Sequence, residues 1–95
     1  MQFDFSVGSS PANSKANRYR NILPTEQTRV RMLDPPEYIN ANEMRFAIGD
    51  GNALRVIMSQ APLEGTSALF WSMIYEFKCP CIVMLTVEVC WVFGS

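Results

Sequence analysis

The sequence contains no histidine. This excludes imidazole general bases, Ser-His and Cys-His catalytic pairs, and histidine metal ligands. Charged residues are also scarce, at 18% of the chain, compared with roughly 25% in soluble domains. With a net charge of -1, the chain lacks the excess of basic residues that nucleic-acid-binding domains usually carry. Hydrophobic residues make up 48% of the chain, which disfavours intrinsic disorder. Its length of 95 residues allows one domain.

The cysteines are few and lie near the end of the chain, at Cys79, Cys81 and Cys90. A secreted disulfide framework normally uses an even number spread along the sequence. The opening residues have no basic start and no long apolar run, so they do not resemble a signal peptide. We therefore predict a cytoplasmic location. The Cys79-Pro80-Cys81 pair is half of a four-ligand zinc site, and only Cys90 and Glu88 lie nearby to complete it. Buried or idle thiols are the simpler interpretation, so we predict no metal and no other cofactor.

The apolar stretch that begins at Cys79 is also too short for a membrane helix. Such a helix needs about 20 apolar residues, and this stretch is interrupted by the carboxylate of Glu88. We expect no membrane span.

The periodicity of the chain predicts an α+β domain. Short strands are expected near residues 37–42 and 55–60. The Gly-Asp-Gly-Asn sequence at 49–52 is a strong turn signal between them, because glycine adopts positive φ without steric cost. These two strands are expected to pair as a hairpin with a long loop.

A helix is predicted near residues 66–77, with the hydroxyl of Thr66 accepting a backbone N–H at its start. Its apolar side chains recur at helical spacing and form one face. An unbroken apolar run at 81–86 is typical of a strand buried in a parallel sheet. Strand, helix and strand in this order predict a βαβ unit with a right-handed crossover.

The first third of the chain divides into two parts by composition. Residues 1–14 contain glycine, proline, asparagine and several serines, show no sustained periodicity and are expected to form a flexible leader. From Lys15 to Arg31 the chain is basic, with Glu26 as its one acidic residue. The simplest interpretation of such a run is a solvated face.

Six segments, in this order, carry a specific pattern: Asn17-Arg18-Tyr19-Arg20-Asn21-Ile22-Leu23-Pro24, Arg29-Val30-Arg31, Glu37-Tyr38-Ile39-Asn40-Ala41-Asn42, Ile57-Met58-Ser59-Gln60-Ala61-Pro62-Leu63, Phe70-Trp71-Ser72-Met73 and Ile82-Val83-Met84-Leu85-Thr86. Together they resemble the opening motifs of the protein tyrosine phosphatase catalytic domain. The resemblance implies an incomplete member of that fold, with a twisted mixed sheet flanked by helices. The family activity is dephosphorylation of phosphotyrosine through a cysteinyl-phosphate.

The resemblance also implies a substrate-recognition loop. Tyr19 would be the aromatic wall that stacks on phosphotyrosine, in a pocket whose depth disfavours the shorter phosphoserine. Arg20 would contribute affinity for the phosphate. Asn21 stands where many members have an aspartate that grips the substrate backbone. Taken without the resemblance, the pattern favours the simpler interpretation that Tyr19 is a surface tyrosine beside a basic loop.

The sequence does not contain the motifs that carry out the family chemistry. The family nucleophile is a cysteine separated by five residues from a following arginine, but every arginine here lies at or before Arg55 and every cysteine at or after Cys79. The family's Trp-Pro-Asp loop is missing too, since Trp91 is followed by Val92 and Phe93. A thiolate needs nearby positive charge and N–H donors to be stabilised and to bind a phosphoryl group. We therefore predict no catalytic residue and no turnover by this chain alone.

The expected organisation is a leader at 1–14, the N-terminal part of a tyrosine phosphatase domain at 15–86, and a non-family apolar tail at 87–95. Our hypothesis is a truncated product, arising from alternative splicing or from an incorrect gene model. One helix can cover only one face of the sheet, so self-association through the exposed apolar face is expected. The alternatives to an inert fragment are a non-catalytic phosphotyrosine-peptide-binding module and a protein-interaction fragment.

Overall fold

The structure is a computed structural model that describes residues 3–85. In this part of the chain, three strands form one antiparallel sheet in the order β1-β2-β3, with one α-helix packed against it. Their bounds are Arg29–Arg31 for β1, Tyr38–Gly49 for β2, Asn52–Ser59 for β3 and Ser67–Glu76 for α1. Short 3-10 helices span Pro11–Ala16 and Glu64–Thr66. The α+β class predicted from the sequence is confirmed at this level. The predicted mixed sheet is wrong for residues 3–85, where both strand pairs are antiparallel.

Alternation along β2 sorts its side chains onto two faces. Ile39 and Ala41 are buried in the core, which they share with side chains of α1. Because successive residues of a strand point to opposite faces, Tyr38, Asn40 and Asn42 lie on the other side of the sheet. The buried core consists of Val30, Met32, Ile39, Ala41, Phe70 and Met73.

The hairpin is longer and tighter than predicted. The predicted strands near 37–42 and 55–60 form, but as parts of β2 and β3, and the long loop between them is wrong. The loop has two residues, Asp50 and Gly51, with φ of 54° and 76°. Positive φ at both positions is the requirement of a type I′ turn, for which Asp-Gly is a preferred sequence. Strand pairing continues almost to the turn because apolar side chains alternate through 44–48, with Phe46 opposite Leu54.

The predicted helix near 66–77 is confirmed as α1, and Phe70 and Met73 of its apolar face are buried. Thr66 occupies the N-cap position, but its predicted cap hydrogen bond is wrong. The Thr66 hydroxyl oxygen accepts the N–H of Leu63 at 2.8 Å instead. It is engaged by the 3-10 turn that precedes the helix, not by the helix itself.

The helix ends in a Schellman-type arrangement before Pro80 is reached. Lys78 adopts a left-handed conformation with φ of 52°. Its N–H donates to Tyr75 O at 3.2 Å, and the N–H of Cys79 donates to Ile74 O at 3.0 Å. These bonds satisfy carbonyls that the helix end leaves without partners.

The strand predicted at 81–86 is wrong for residues 81–85, which form no strand and are exposed. A strand buried on both faces needs a pairing neighbour and a layer on each side. In the described residues the sheet ends at β1 and β3, and neither strand pairs with this segment. The predicted βαβ unit with its right-handed crossover is therefore not formed within residues 3–85. Thr86 and the predicted tail at 87–95 lie outside the described residues.

Within residues 3–85, no helix has both the length and the apolar character needed to cross a membrane.

Candidate functional site

The three predicted site residues lie together on a surface turn at 18–21. This turn belongs to the loop 17–22, which follows the 3-10 helix Pro11–Ala16, and the N–H of Ile22 donates to Tyr19 O at 3.4 Å. Tyr19 is 53% exposed, and Arg20 and Asn21 are also exposed. All three side chains are therefore accessible to a ligand. We call residues 17–22 the Tyr19 loop.

One end of the Tyr19 loop is fixed by Asn17. Its Oδ1 accepts hydrogen bonds from the Tyr38 hydroxyl at 2.7 Å and from Asn40 Nδ2 at 2.9 Å. Its Nδ2 donates to Gly8 O at 2.9 Å. The Asn17 amide thus connects the sheet on one side to the N-terminal segment on the other.

The other end of the loop, at Ile22, is held by Asn40 of β2, the strand that also binds Asn17. Asn40, which is 7% exposed, also donates from Nδ2 to Ile22 O at 2.9 Å. Burial raises the pKa of Tyr38 to about 12, so its hydroxyl remains protonated and able to donate to Asn17 at physiological pH. A buried amide with its donor bonds satisfied contributes to stability and fixes the geometry of its partners.

Arg18 and Gln60 form a second attachment. The Arg18 N–H donates to Gln60 Oε1 at 2.9 Å, and Gln60 Nε2 donates to Ala16 O at 2.9 Å. The guanidinium of Arg18 donates to Ala61 O at 3.1 Å and to Pro62 O at 3.0 Å. The arginine next to Tyr19 therefore binds the backbone that follows β3, which ties the loop to the far edge of the sheet.

The basic run does not form a single solvated face, so that interpretation is wrong for Arg18 and Arg29. Arg29 is largely buried and pairs with Glu26 at 2.7 Å, and Arg31 contacts the same carboxylate at 3.0 Å. These contacts, led by the hydrogen bond from Arg29, hold the pKa of Glu26 below its ordinary value. Lys15 and Arg20 are exposed, as the solvated interpretation predicts.

Sequence reasoning missed the residues that hold the loop: Asn17, Arg18, Asn40 and Gln60. A signal for part of this set is present in β2, where polar residues at 38, 40 and 42 alternate with apolar ones. On a strand with a buried apolar face, such polar residues need hydrogen-bond partners on the opposite face. Asn42 follows the same rule and donates to Thr28 Oγ1 at 2.7 Å.

The two described cysteines, Cys79 and Cys81, follow the end of α1. Cys79, at the end of α1, is half-buried, and Cys81 is exposed; both are free thiols. Burial raises the pKa of the Cys79 thiol, which disfavours the thiolate. An open cavity of about 580 Å³ is lined by Trp71, Ile74, Tyr75, Glu76, Lys78 and Cys79. Its one cation is a lysine, so it lacks the guanidinium fork that binds a phosphate through two hydrogen bonds.

No group of three acidic or cysteine side chains that could hold a metal ion occurs in the part of the chain that the structure describes.

Comparison with known proteins identifies the class. The family model for protein-tyrosine phosphatase matches residues 13–90. The chain therefore belongs to the protein-tyrosine phosphatase family, and the resemblance drawn from its sequence motifs is confirmed.

Relatives of known identity are similar over most of this chain. Human tyrosine-protein phosphatase non-receptor type 13 is 41% identical over 83 residues, or 87% of this chain. Human tyrosine-protein phosphatase non-receptor type 20 is 38% identical over 90% of it. Tyrosine-protein phosphatase 1 of Caenorhabditis elegans is 45% identical over 79% of it. The matched region amounts to 3%, 20% and 8% of those proteins, respectively.

Proposed function

We propose that this chain supplies the phosphotyrosine-recognition part of a protein-tyrosine phosphatase domain and that it does not hydrolyse phosphotyrosine by itself. The observation that carries the proposal is the exposed ring of Tyr19, on a loop held by hydrogen bonds from β2 and from the chain that follows β3. Side chains that are rigidly supported but exposed at the tip of a loop are typical of a binding site.

Each of the three exposed residues has a chemical role in this proposal. The Tyr19 ring offers a flat apolar face on which a phosphotyrosine ring can stack. Arg20 carries a positive charge toward a phosphate that bears about -1.5 to -2 charges at neutral pH. The Asn21 side chain provides both a donor and an acceptor for the backbone of a bound peptide.

Absence of turnover follows from the separation of the required groups. No cysteine in the sequence is followed by an arginine, so no thiol belongs to a loop that could bind a phosphoryl group through a guanidinium. Burial raises the pKa of the Cys79 thiol, which disfavours the thiolate, the nucleophilic form.

We therefore expect no release of inorganic phosphate from a phosphotyrosyl peptide between pH 5 and pH 8. The measurement is a phosphate assay on the purified chain, with Cys79→Ser and Cys81→Ser variants as controls for trace activity. Any background rate should be the same in all three proteins. A rate that is lost when one of these thiols is replaced would contradict the proposal.

Binding is expected to depend on the Tyr19 ring. A phosphotyrosine peptide should bind weakly, in the millimolar range typical of a single small contact surface. Tyr19→Ala should weaken binding about tenfold, through loss of ring stacking. Tyr75→Ala is the matched control, because Tyr75 is 87% exposed on the helix and should have no effect. Nuclear magnetic resonance titration would measure both variants, with phosphoserine and unphosphorylated peptides alongside. Equal affinities of the two variants would refute the role of Tyr19.

A second candidate function, protein interaction, is favoured by the surface of the hairpin. Met44, Phe46, Leu54 and Met58 are exposed, and their register places them on the face of β2 and β3 opposite the helix. Contiguous apolar surface of this kind promotes association, here between copies of the chain. Association through this face should survive Tyr19→Ala, which separates it from phosphotyrosine binding.

The proposal extends to organisation and location. The division into a leader at 1–14, a domain part at 15–86 and a tail at 87–95 is retained as part of it, although the family match extends past Thr86 to residue 90. Residues 4–13 make hydrogen bonds with one another and with the domain part, so the expected flexibility of the leader is not part of the proposal. The proposed cytoplasmic location is supported by the non-receptor names of two relatives, and the proposed role in phosphotyrosine signalling by the family match.

A further inference from the structure

The segment that precedes the family match is folded onto the base of the Tyr19 loop. Ser9 N–H donates to Phe5 O at 2.8 Å, and Ser10 N–H donates to Val7 O at 3.1 Å. Asn13 Nδ2 donates to Val7 O at 2.9 Å. The segment therefore has its own hydrogen-bonded structure, although the family match begins only at residue 13.

Two backbone carbonyls of this segment accept hydrogen bonds from the chain on either side of the loop tip, one from the first residue of the loop and one from a residue four positions beyond its last. Asp4 O accepts the N–H of Glu26 at 2.7 Å, and Gly8 O accepts Asn17 Nδ2 at 2.9 Å. Asn17 begins the Tyr19 loop, and Glu26 lies beyond its end. Residues 4–8, which we call the N-terminal brace, thus span the loop from one side to the other.

Close packing at Gly8 completes the attachment. A Cβ atom at this position would lie 2.9 Å from Pro24 Cδ, 3.3 Å from the Tyr38 hydroxyl oxygen and 3.4 Å from Leu23 Cβ. The first of these distances is shorter than a carbon–carbon contact allows. The absence of a side chain at Gly8 is therefore what lets the brace reach the chain that leaves the loop.

We infer that the N-terminal brace is a positioning element for the candidate phosphotyrosine-binding loop, an inference that rests on the proposed function of Tyr19. Ordering a backbone residue costs about 1–2 kcal/mol of conformational entropy. By fixing both sides of the loop before a ligand arrives, the brace reduces the ordering that binding must otherwise impose on residues 18–21.

The test measures the loop directly, without any ligand. The N–H groups of Arg18 and Ile22 are hydrogen-bonded within the loop's attachments, so their hydrogen exchange reports loop opening. Gly8→Ala should accelerate exchange at these two amides about tenfold. Gly65→Ala is the matched control, because a Cβ at Gly65 meets nothing within 4 Å. Amides of the β2–β3 hairpin should exchange at unchanged rates in both variants.

A milder variant keeps the inference testable if Gly8→Ala causes a general loss of folding. Asn13→Ala removes the bond to Val7 O without touching the loop and should accelerate the same amides about threefold. Exchange at Arg18 and Ile22 that is unchanged in both brace variants would overturn the inference. Equal acceleration in the hairpin and the loop would also overturn it. Because no phosphopeptide is present, this outcome is independent of whether Tyr19 binds phosphotyrosine.

Discussion

Replacing Met73 by alanine should lower the free energy of unfolding by about 3 kcal/mol, within the range for removing a large buried aliphatic side chain. Met73 is 1% exposed and lies in the core between α1 and the sheet. The core of the described residues has six buried hydrophobic members. Few neighbours are therefore available to collapse into the cavity that the substitution leaves.

The control is a methionine on the surface. Met58 is 54% exposed, so Met58→Ala changes the same chemical group and should alter the unfolding free energy by less than about 0.5 kcal/mol. Urea denaturation followed by circular dichroism measures both variants and compares their midpoints at a common slope. Equal losses in the two variants would mean that α1 does not pack on the sheet as described.

The helix and its core were predictable because their signals are local. Apolar side chains at helical spacing around Phe70 and Met73 identify the buried face whatever the rest of the chain does. The Gly-Asp-Gly sequence at 49–51 likewise specifies its turn, since residues with positive φ are needed there. Both elements formed where the sequence predicted them.

The errors concern features that depend on distant neighbours, that two local arrangements could both satisfy, or that are too short to show a pattern. An apolar run such as 81–85 favours a strand, but a strand exists only where another strand offers hydrogen bonds. The Thr66 hydroxyl could serve either the helix or the preceding turn, and the turn at Leu63 takes it. The strand β1 has three residues and carries too little periodicity to be recognised.

The candidate site was predicted only in part for the same reason. The exposed residues Tyr19, Arg20 and Asn21 are consecutive, so one sequence motif finds them together. The hydrogen bonds that hold their loop come from Asn40 and Gln60. These residues lie too far along the sequence for a local pattern to reveal the contact. A buried amide such as Asn40 is identifiable as polar within a strand, but its partners are known only from the fold.

Because the Tyr19 loop depends on the hydrogen bonds of Asn40, a large loss of stability is expected when this amide is removed. Asn40→Ala should destabilise the chain by about 2 kcal/mol, because it removes the Nδ2 donor from both Ile22 O and Asn17 Oδ1 in a buried setting. Asn52→Ala, at an exposed position at the start of β3, is the matched control and should change stability little. Urea denaturation measures the difference between them. No loss in Asn40→Ala would show that the Tyr19 loop is not anchored through this amide.

Asn40→Asp tests the contribution of the hydrogen bonds to stability separately from that of side-chain volume, since asparagine and aspartate are nearly the same size. At neutral pH the new carboxylate would face two acceptors, Ile22 O and Asn17 Oδ1, with no proton to donate, so we expect a loss at least as large as in Asn40→Ala. Burial would raise the pKa of this carboxyl in the folded state, favouring its protonated form. As the pH falls through that pKa, the carboxyl gains an O–H that can donate to one of the two acceptors. The difference in unfolding free energy from the parent chain should therefore shrink at acid pH. A difference that stays constant from pH 7 to pH 4 would contradict a role for the amide as a hydrogen-bond donor.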